Sequence, residues 1–224
     1  MSGPASSNLY DRYILPRLID IACGMGLARE QRAKLLPLAR GVVVEPGIGS
    51  GLNLPLYDAT KLTRLVGVDP SAELLALARP RAAALGFPVE LHCTGAASIP
   101  MADASADCAV LTWTLCSIPE PLPALREIRR VLKPGAPVLL CEHGIAPDAG
   151  VAGWQRRVDP LWGWFAGGCH LSRDPAALLA EAGFGDQQVA RFYLRGAPRF
   201  AGYQYVGTAR QRDPQAPDQE PGSL

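Results

Sequence analysis

The sequence has almost no net charge and no long hydrophobic run. Its 224 residues include 22 basic and 21 acidic side chains, which give a formal net charge of +1. Nucleic-acid binding needs a clustered basic excess that neutralises phosphates, so this balance argues against a nucleic-acid partner. No apolar run approaches the roughly 20 residues of a membrane span, and the N-terminus lacks the basic and apolar regions of a signal peptide. We therefore expect a cytoplasmic protein with one well-buried domain that acts on a small molecule.

The six cysteines are scattered along the chain, and no two of them form a C-x-x-C pair. Because zinc sites and disulfide frameworks are signalled by regular cysteine spacings, the sequence predicts neither, and we expect no metal. Most of the cysteines should be small buried hydrophobic residues. A metalloid acceptor held by Cys116, Cys141 and Cys169 is an alternative that no spacing motif supports.

The fingerprint of dinucleotide-binding proteins, G-x-G-x-x-G, is also missing. Three glycines do occur at alternate positions, Gly47, Gly49 and Gly51. Counted from the first or the second of them, the third glycine of the fingerprint would fall on Leu52 or Leu54. A nicotinamide or flavin cofactor is therefore disfavoured.

These glycines directly follow a predicted strand. The β-branched run over residues 42–44 predicts a short buried strand that ends at Glu45. Glycine is needed where the backbone adopts positive φ or lets a ligand approach closely, so the alternate glycines indicate a loop that holds a bound molecule. A glycine-rich turn without a ligand is the alternative.

A second predicted strand, residues 65–68, ends at Asp69, and a helix begins near Ser71. In dinucleotide-binding folds, an acid that ends a strand about 20 residues after a glycine loop binds ribose hydroxyls. A carboxylate suits that role because it can accept two hydrogen bonds from a vicinal diol. Asp69 is therefore the predicted ribose ligand.

Together these stretches resemble the class I S-adenosylmethionine (SAM) methyltransferases. The strings E-x-G-x-G-x-G, G-V-D-P-S, T-L-C-S-I-P, R-V-L-K-P-G, E-H-G and G-G-C-H-L are similar to those of a subgroup of small methyltransferases. That subgroup is related to methyltransferase-like thiol S-methyltransferases and, more loosely, to bacterial phosphatidylethanolamine N-methyltransferases. The resemblance covers residues 9–209. It implies a doubly wound, Rossmann-like α/β fold with a seven-stranded mixed sheet and a final antiparallel strand pair.

The resemblance also implies SAM as cofactor and S-adenosylhomocysteine as product, with the glycine loop around the methionine part. The sequence departs from the family's pattern at Ala96, where many members carry an acid that hydrogen-bonds the adenine amino group. Without that acid the contact must come from the backbone or be lost. The cofactor-binding residues implied by the resemblance are Glu45, Gly47, Gly49, Gly51, Asn53, Asp69, Pro70, Ala96, Ala97, Thr112 and Leu115.

Methyl transfer requires close approach of the nucleophile and, for a thiol, loss of its proton, which a histidine can accept. Ligands of open α/β sheets bind outside the carboxyl ends of the strands. Residues that follow the predicted strands 108–111 and 138–141 should therefore face the methyl group. His143 is the first candidate for a catalytic base and His170 the second, with a hydrogen-bonded structural histidine as the alternative for each.

Large aromatic side chains are concentrated in residues 147–172, after the fifth strand, where loops carry specificity in such folds. They could line an apolar acceptor pocket or contact the sulfonium by a cation–π interaction. Trp162 and Phe165 lie three apart on a predicted helix and could equally belong to the core. The candidate acceptor-binding residues are Tyr10, Tyr13, Trp113, Cys116, Trp162 and Cys169.

The chain divides into three predicted parts. Residues 1–38 form a helical extension, which either closes over the cleft as a lid or packs on the sheet as an amphipathic helix. A peripheral membrane contact is a third interpretation, for which Arg12 and Arg17 are the only support. Residues 39–210 form the methyltransferase domain, and the polar, proline-rich residues 211–224 predict a disordered tail.

The sequence thus favours a SAM-dependent methyltransferase with a small, apolar acceptor, preferably a thiol. A phospholipid amine such as phosphatidylethanolamine is the alternative acceptor, and a non-catalytic SAM-binding module is the alternative function. Nothing in the sequence predicts an oligomeric state.

Overall fold

The computed structural model describes residues 26–211. Tyr10 and Tyr13, most of the predicted lid and the predicted disordered tail from residue 212 lie outside the described residues. Within residues 26–211, no helix combines the length and the apolar character that crossing a membrane requires.

The described residues form a seven-stranded mixed sheet with helices packed on both faces. In chain order the elements are α1 (Gly26–Leu35), β1 (Gly41–Pro46), β2 (Leu62–Val68), α2 (Ala72–Ala83), β3 (Val89–His92), β4 (Cys108–Thr112), α3 (Pro121–Val131), β5 (Pro137–His143), α4 (Ala149–Phe165), α5 (Pro175–Glu181), β6 (Phe184–Tyr193) and β7 (Tyr203–Gln211).

The strand order is β3-β2-β1-β4-β5-β7-β6. Strands β1 to β5 pair in parallel, whereas β7 is antiparallel to both β5 and β6. This confirms the predicted doubly wound mixed sheet with a final antiparallel pair. The order reverses between β1 and β4, and the loops that leave a sheet in opposite directions at such a point open a crevice at the carboxyl ends of the strands.

Strand β1 is buried on both faces, because its side chains alternate between two apolar layers. Val43 and Val44 are both fully buried and belong to two different core clusters. Ile128 of α3 and Phe184 of β6 share the cluster of Val44. Leu75 of α2 lies in the cluster of Val43. The valine run therefore places the end of β1, and with it the glycine loop, rigidly at the centre of the sheet.

Strand β5 is longer than the predicted residues 138–141. It continues to His143 because the antiparallel partner β7 extends the ladder, pairing Glu142 with Tyr205 and His143 with Gln204. The prediction that Glu142 and His143 follow the strand is therefore wrong. Both are strand residues whose side-chain directions are set by the sheet.

Three connections carry the site residues described below. Residues 47–61 join β1 to β2 through turns and a short 3-10 helix, Leu54–Leu56. Helix α2 begins after Ser71, as predicted, and the Ser71 hydroxyl caps it by accepting a hydrogen bond from the Leu74 backbone nitrogen at 3.1 Å. Helix α4 occupies most of the predicted aromatic cap over residues 147–172.

The last strand pair can be tested at Gly207 of β7. A Cβ atom here would overlap the carbonyl oxygen of Gln188 in β6, so the close approach of the two strands requires glycine. We expect Gly207→Ala to lower the free energy of unfolding by about 1–3 kcal/mol, the usual cost of overpacking. Urea unfolding followed by circular dichroism measures the change.

Gly150→Ala is the matched control, since Gly150 lies in α4 and a Cβ atom there would meet no other atom within 4 Å. This substitution should leave the stability unchanged or raise it by up to about 1 kcal/mol. Equal unfolding free energies for Gly207→Ala and the wild type would contradict the described register of β6 and β7.

Candidate functional site

A cavity of about 360 Å³ lies at the point where the strand order reverses. Its lining comes from the loops after β1, β2, β3 and β4, together with single residues of α1 and of the segment after α4. This is the crevice in which an open α/β sheet binds its ligand.

The three predicted glycines have three different structural roles. Gly49 and Gly47 line the cavity with positive φ values of 56° and 68°. A Cβ atom at Gly47 would overlap the side chain of Thr114, whereas the nearest atom to a Cβ at Gly49 would be 3.9 Å away. Gly51 is not part of the lining, and a Cβ there would press on Leu54. Of these three glycines, Gly49 is therefore the one that presents open backbone to a ligand.

Asp69 ties this loop to the end of β2. Its two carboxylate oxygens accept hydrogen bonds from the backbone nitrogens of Gly49, at 3.0 Å, and Ser71, at 2.8 Å. Burial raises the pKa of Asp69, and these two backbone hydrogen bonds oppose the rise. Asp69 and its neighbour Pro70 line the cavity. A carboxylate has about four acceptor positions, so Asp69 retains capacity for a ligand hydroxyl.

Glu45 closes the floor of the cavity through a buried hydrogen-bond network. One carboxylate oxygen accepts from Asn53 Nδ2 at 2.8 Å, and the other accepts from the Tyr57 hydroxyl at 2.6 Å. Asn53 Nδ2 also donates to the Thr112 hydroxyl at 2.9 Å. Asn53 lines the cavity, and its Oδ1 is buried without a hydrogen-bond partner among the described residues. That oxygen can accept a hydrogen bond from an ammonium or hydroxyl group of a ligand.

Arg32 and Trp113 form a second wall of the cavity, of which the sequence predicted only Trp113. The Arg32 guanidinium lies 4.7 Å from the centre of the Trp113 ring, and both residues line the cavity. Trp113 has a positive φ of 50°, which is rare for a bulky residue and marks a tight turn after β4. Trp113 is a predicted acceptor-binding residue, whereas Arg32 was missed because a charged residue in a short helix usually faces solvent.

Of the remaining predicted cofactor residues, some line the cavity and others do not. Thr112 and Ala96 line the cavity. Ala97 is exposed and outside the lining, because the chain turns outward after Ala96. Leu115 is fully buried in the core, and it contributes through its backbone nitrogen, which donates to the Glu142 carboxylate at 3.0 Å.

The rim of the cavity contains a segment that the sequence analysis did not assign to the site. Ser117, Ile118 and Pro119 line it from one side, and Gly167 approaches from the segment after α4. The T-L-C-S-I-P string was the available signal, since it contains Ser117, Ile118 and Pro119.

Neither candidate histidine lines the cavity. His143 is buried, and its Nε2 lies 3.1 Å from the Cys169 sulfur. Burial acts to lower the pKa of His143, but the hydrogen bond to Cys169 and nearby acidic groups raise it above its ordinary value. His170 Nδ1 lies 3.1 Å from a carboxylate oxygen of Asp159. The structure therefore brings His143 to two cysteines, and His170 to an acid of α4.

Three of the predicted acceptor residues, Cys116, Trp162 and Cys169, do not line the cavity. Cys116 directly precedes Ser117 in the chain and is buried. Its sulfur lies within 4.8 Å of the Cys169 sulfur and of a ring nitrogen of His143. Trp162 packs edge-on against Phe200, with ring centres 5.8 Å apart, and does not line the cavity. The alternative in which Trp162 is a packing residue thus agrees with its contacts.

The buried network around Glu45 predicts a pH dependence of stability. Burial raises the pKa of Glu45 to about 7 from an ordinary value of 4.5. Between these pH values the unfolded chain releases the proton first, so the free energy of unfolding falls as the pH rises. Relative to Glu45→Gln, which has no such proton, the wild type should lose up to about 3 kcal/mol between pH 4.5 and pH 8.

Urea unfolding of both proteins at several pH values, without added ligand, measures this difference. Burial also raises the pKa of Glu142 to about 7. That contribution is common to the two proteins and cancels when their curves are subtracted. If the free energies of unfolding of the two proteins changed in parallel with pH, the pKa of Glu45 would not be raised in the folded protein.

Comparison with known proteins finds relatives of the part of the chain that builds this cavity. Residues 44–140 match the family model of a methyltransferase domain. The thiol S-methyltransferase TMT1B of Rattus norvegicus is 32% identical over 149 residues, which are 66% of this chain and 61% of that protein. The phosphatidylethanolamine N-methyltransferase of Cereibacter sphaeroides is 33% identical over 129 residues, which are 55% of this chain and 63% of that protein. The match thus spans less than two thirds of the length of these relatives.

A solved structure supports the same fold. The SAM-dependent methyltransferase of Thermotoga maritima, described as a possible histamine N-methyltransferase, has a TM-score of 0.62 at 20% identity and covers 91% of this chain and 98% of its own. The family match runs from β1 into β5 and so includes β1 to β4, the strands whose ends build the cavity. Residues 44–140 are therefore similar to a methyltransferase domain, and they lie in a fold that this chain shares with a solved SAM-dependent methyltransferase.

Proposed function

We propose that the protein transfers the methyl group of SAM to a small thiol. The observation that carries the proposal is the cavity where the strand order reverses, in which the backbone of Gly49 is open to a ligand beside the carboxylate of Asp69. A glycine loop next to a strand-ending acid is the arrangement that binds a nucleoside with its ribose on the carboxylate.

In this proposal each part of SAM meets a group of suited chemistry. Asp69 accepts hydrogen bonds from the ribose hydroxyls. Asn53 Oδ1, which lacks a partner among residues 26–211, accepts from the ammonium of the methionine part. Ala96 and Gly95 line the cavity where the adenine would lie, so the adenine is held by backbone and apolar contacts.

The chemistry is an in-line displacement at the methyl carbon. The thiolate sulfur forms a bond to that carbon while the bond from carbon to the sulfonium sulfur breaks. The electron pair of the broken bond stays on the departing sulfur, which gives neutral S-adenosylhomocysteine and a thioether. The protein needs to hold the two sulfurs in line and to favour the thiolate, whose ordinary pKa near 8.5 requires only a modest shift.

The acceptor side supports a small apolar substrate. Trp113, Ile118 and Pro119 line the cavity at the ends of β4 and the segment that follows. Apolar walls of this kind favour burial of an alkyl or aryl group. The similarity to TMT1B, named as a thiol S-methyltransferase, supports a thiol as the nucleophile.

A phospholipid amine is the second candidate acceptor. The similarity to the phosphatidylethanolamine N-methyltransferase of Cereibacter sphaeroides supports it. So does the end of α4, where Leu161, Trp164 and Phe165 are 63%, 75% and 56% exposed. Large apolar side chains on one helix end can insert into the headgroup region of a bilayer.

Gly49 provides the test of cofactor placement. A methyl group at this position has room in the protein but enters the space assigned to SAM, so Gly49→Ala should raise the Kd for SAM at least tenfold, about 1.4 kcal/mol. Isothermal titration calorimetry measures this change. Gly196→Ala is the matched control, because Gly196 also has positive φ and open surroundings but lies in the turn between β6 and β7. Equal SAM affinities for the two variants would contradict the placement.

Transfer of a labelled methyl group from SAM to a small alkyl thiol tests the function. We expect a labelled thioether with the wild type and at least a tenfold lower rate with Asp69→Ala at subsaturating SAM, because charge-assisted hydrogen bonds to the ribose are lost. Asp103→Ala is the control, since the Asp103 side chain is 79% exposed and pairs with Arg130 away from the cavity.

The two candidate acceptors predict opposite outcomes. Thioether formation that depends on Asp69 supports the thiol. Absence of thioether over a panel of alkyl and aryl thiols, with label appearing in vesicles that contain phosphatidylethanolamine, would replace the thiol by the lipid amine. SAM binding without transfer to either class would leave a SAM-binding module.

A further inference from the structure

Two cysteines and a histidine converge behind the wall of the cavity. The ligating atoms of Cys116, His143 and Cys169 all lie within 4.8 Å of one another. Cys116 and His143 are 4% and 8% exposed, and Cys169 is half-buried. The three residues come from the turn after β4, the end of β5 and the segment after α4, so the fold brings together ligands that are distant in sequence.

The donor set suits a divalent ion of the Zn²⁺ class. Thiolate sulfur and imidazole nitrogen are its usual ligands, with Zn–S bonds of about 2.3 Å and Zn–N bonds of about 2.0–2.1 Å. Such bonds place the ligand atoms of a tetrahedral site roughly 3.5–3.8 Å apart. His143 Nε2 and the Cys169 sulfur are 3.1 Å apart, so small side-chain rotations suffice to enclose an ion.

The backbone around the three ligands is already fixed. The backbone nitrogen of His170 donates a hydrogen bond to the Cys116 carbonyl oxygen at 2.8 Å, which joins the two cysteine segments. Arg173 joins them a second time, because its guanidinium donates to the carbonyl oxygens of Leu115 and Ile118. Preorganised ligands lose little conformational entropy when they bind an ion.

The electrostatic surroundings balance the charge of an ion. Two thiolates neutralise a divalent cation. Arg173 adds a positive charge, and two acids lie near it. Glu142 accepts a hydrogen bond from the turn after β4. Asp159 accepts hydrogen bonds from Leu171 and Ser172. The pair of acids leaves the site without an excess of positive charge.

The site is next to the cavity proposed for SAM. Cys116 directly precedes Ser117, and Cys169 follows Gly167 by two residues, and both Ser117 and Gly167 line that cavity. Three protein ligands leave one position of a tetrahedral ion open, which is the arrangement of catalytic rather than structural zinc. The proposed metal ligands thus lie within one or two residues of the cavity lining.

We propose that Cys116, His143 and Cys169 bind a divalent, thiophilic metal ion, and that its open position holds the acceptor thiol as a thiolate. The second part rests on the proposed thiol methylation. On coordination the thiol loses its proton to solvent, since a metal-bound thiol is deprotonated. The bound sulfur then forms the bond to the methyl carbon as the carbon–sulfonium bond breaks, and the neutral thioether leaves the ion.

Co²⁺ is the probe, because its visible and thiolate charge-transfer absorption reports on the ligands. Titration of the fully reduced wild type should give one equivalent of tightly bound Co²⁺ with a thiolate charge-transfer band, and Zn²⁺ should displace it. Addition of a small alkyl thiol should change the Co²⁺ spectrum when the thiol occupies the open position.

Cys169→Ser is the main variant, since Cys169 is half-buried in a loop and the change leaves the core intact. It should lower the affinity for Co²⁺ at least tenfold and weaken the charge-transfer band. Cys93→Ser is the control, because Cys93 is exposed and outside the cluster. Absence of stoichiometric binding by the reduced wild type, or equal binding by Cys169→Ser, would overturn the site.

The failures of the two proposals are distinguishable. Co²⁺ binding with a thiol-dependent spectrum but no methyl transfer would retain the metal site and reject thiol methylation. Methyl transfer at the same rate by chelator-treated and Zn²⁺-loaded protein would retain thiol methylation and reject the role of the open position. A rate that falls at least tenfold on chelation and returns with Zn²⁺ supports both.

Discussion

The site depends on the buried carboxylate of Glu142. One of its oxygens accepts hydrogen bonds from the backbone nitrogens of Thr114, at 2.7 Å, and Leu115, at 3.0 Å, and so fixes the turn that follows β4. A buried carboxylate is costly unless it is hydrogen-bonded, and here burial raises the pKa of Glu142 to about 7. The backbone donors offset part of this cost. The carboxylate is held in place because β5 pairs with β7 as far as His143.

The turn after β4 positions the residues on the proposed acceptor side of the cavity. Thr114 packs against Gly47 and so positions the glycine loop, while Trp113 forms the wall with Arg32. Two residues after Thr114, Cys116 turns away from the cavity towards His143. A single turn therefore connects the proposed SAM cavity with the cysteine–histidine cluster. The addition of β7 to the edge of a parallel sheet is what makes the turn rigid.

The sequence predicted those features that depend on local pattern. Strand ends, the glycine loop and Asp69 could be located because apolar runs, glycines and a strand-ending acid recur with fixed spacing in such folds. Arg32 and Tyr57 could not be located, since their roles come from contacts across the fold. The same holds for the grouping of Cys116, His143 and Cys169, which are 26 residues or more apart and obey no metal-binding spacing. The expectation that His143 faces the cavity assumed that the strand stops before it.

The two halves of the site cannot act independently. Thr112 is hydrogen-bonded to Asn53 at one end of the turn, and Cys116 lies at the other end, so a shift of the turn changes both the cavity floor and the metal ligands. Residues that share one network have coupled energies. A ligand that contacts the turn from the cavity side therefore also acts on Cys116. By linkage, any change that a cavity ligand makes in the affinity of the proposed metal site equals the change that the ion makes in the affinity of the cavity.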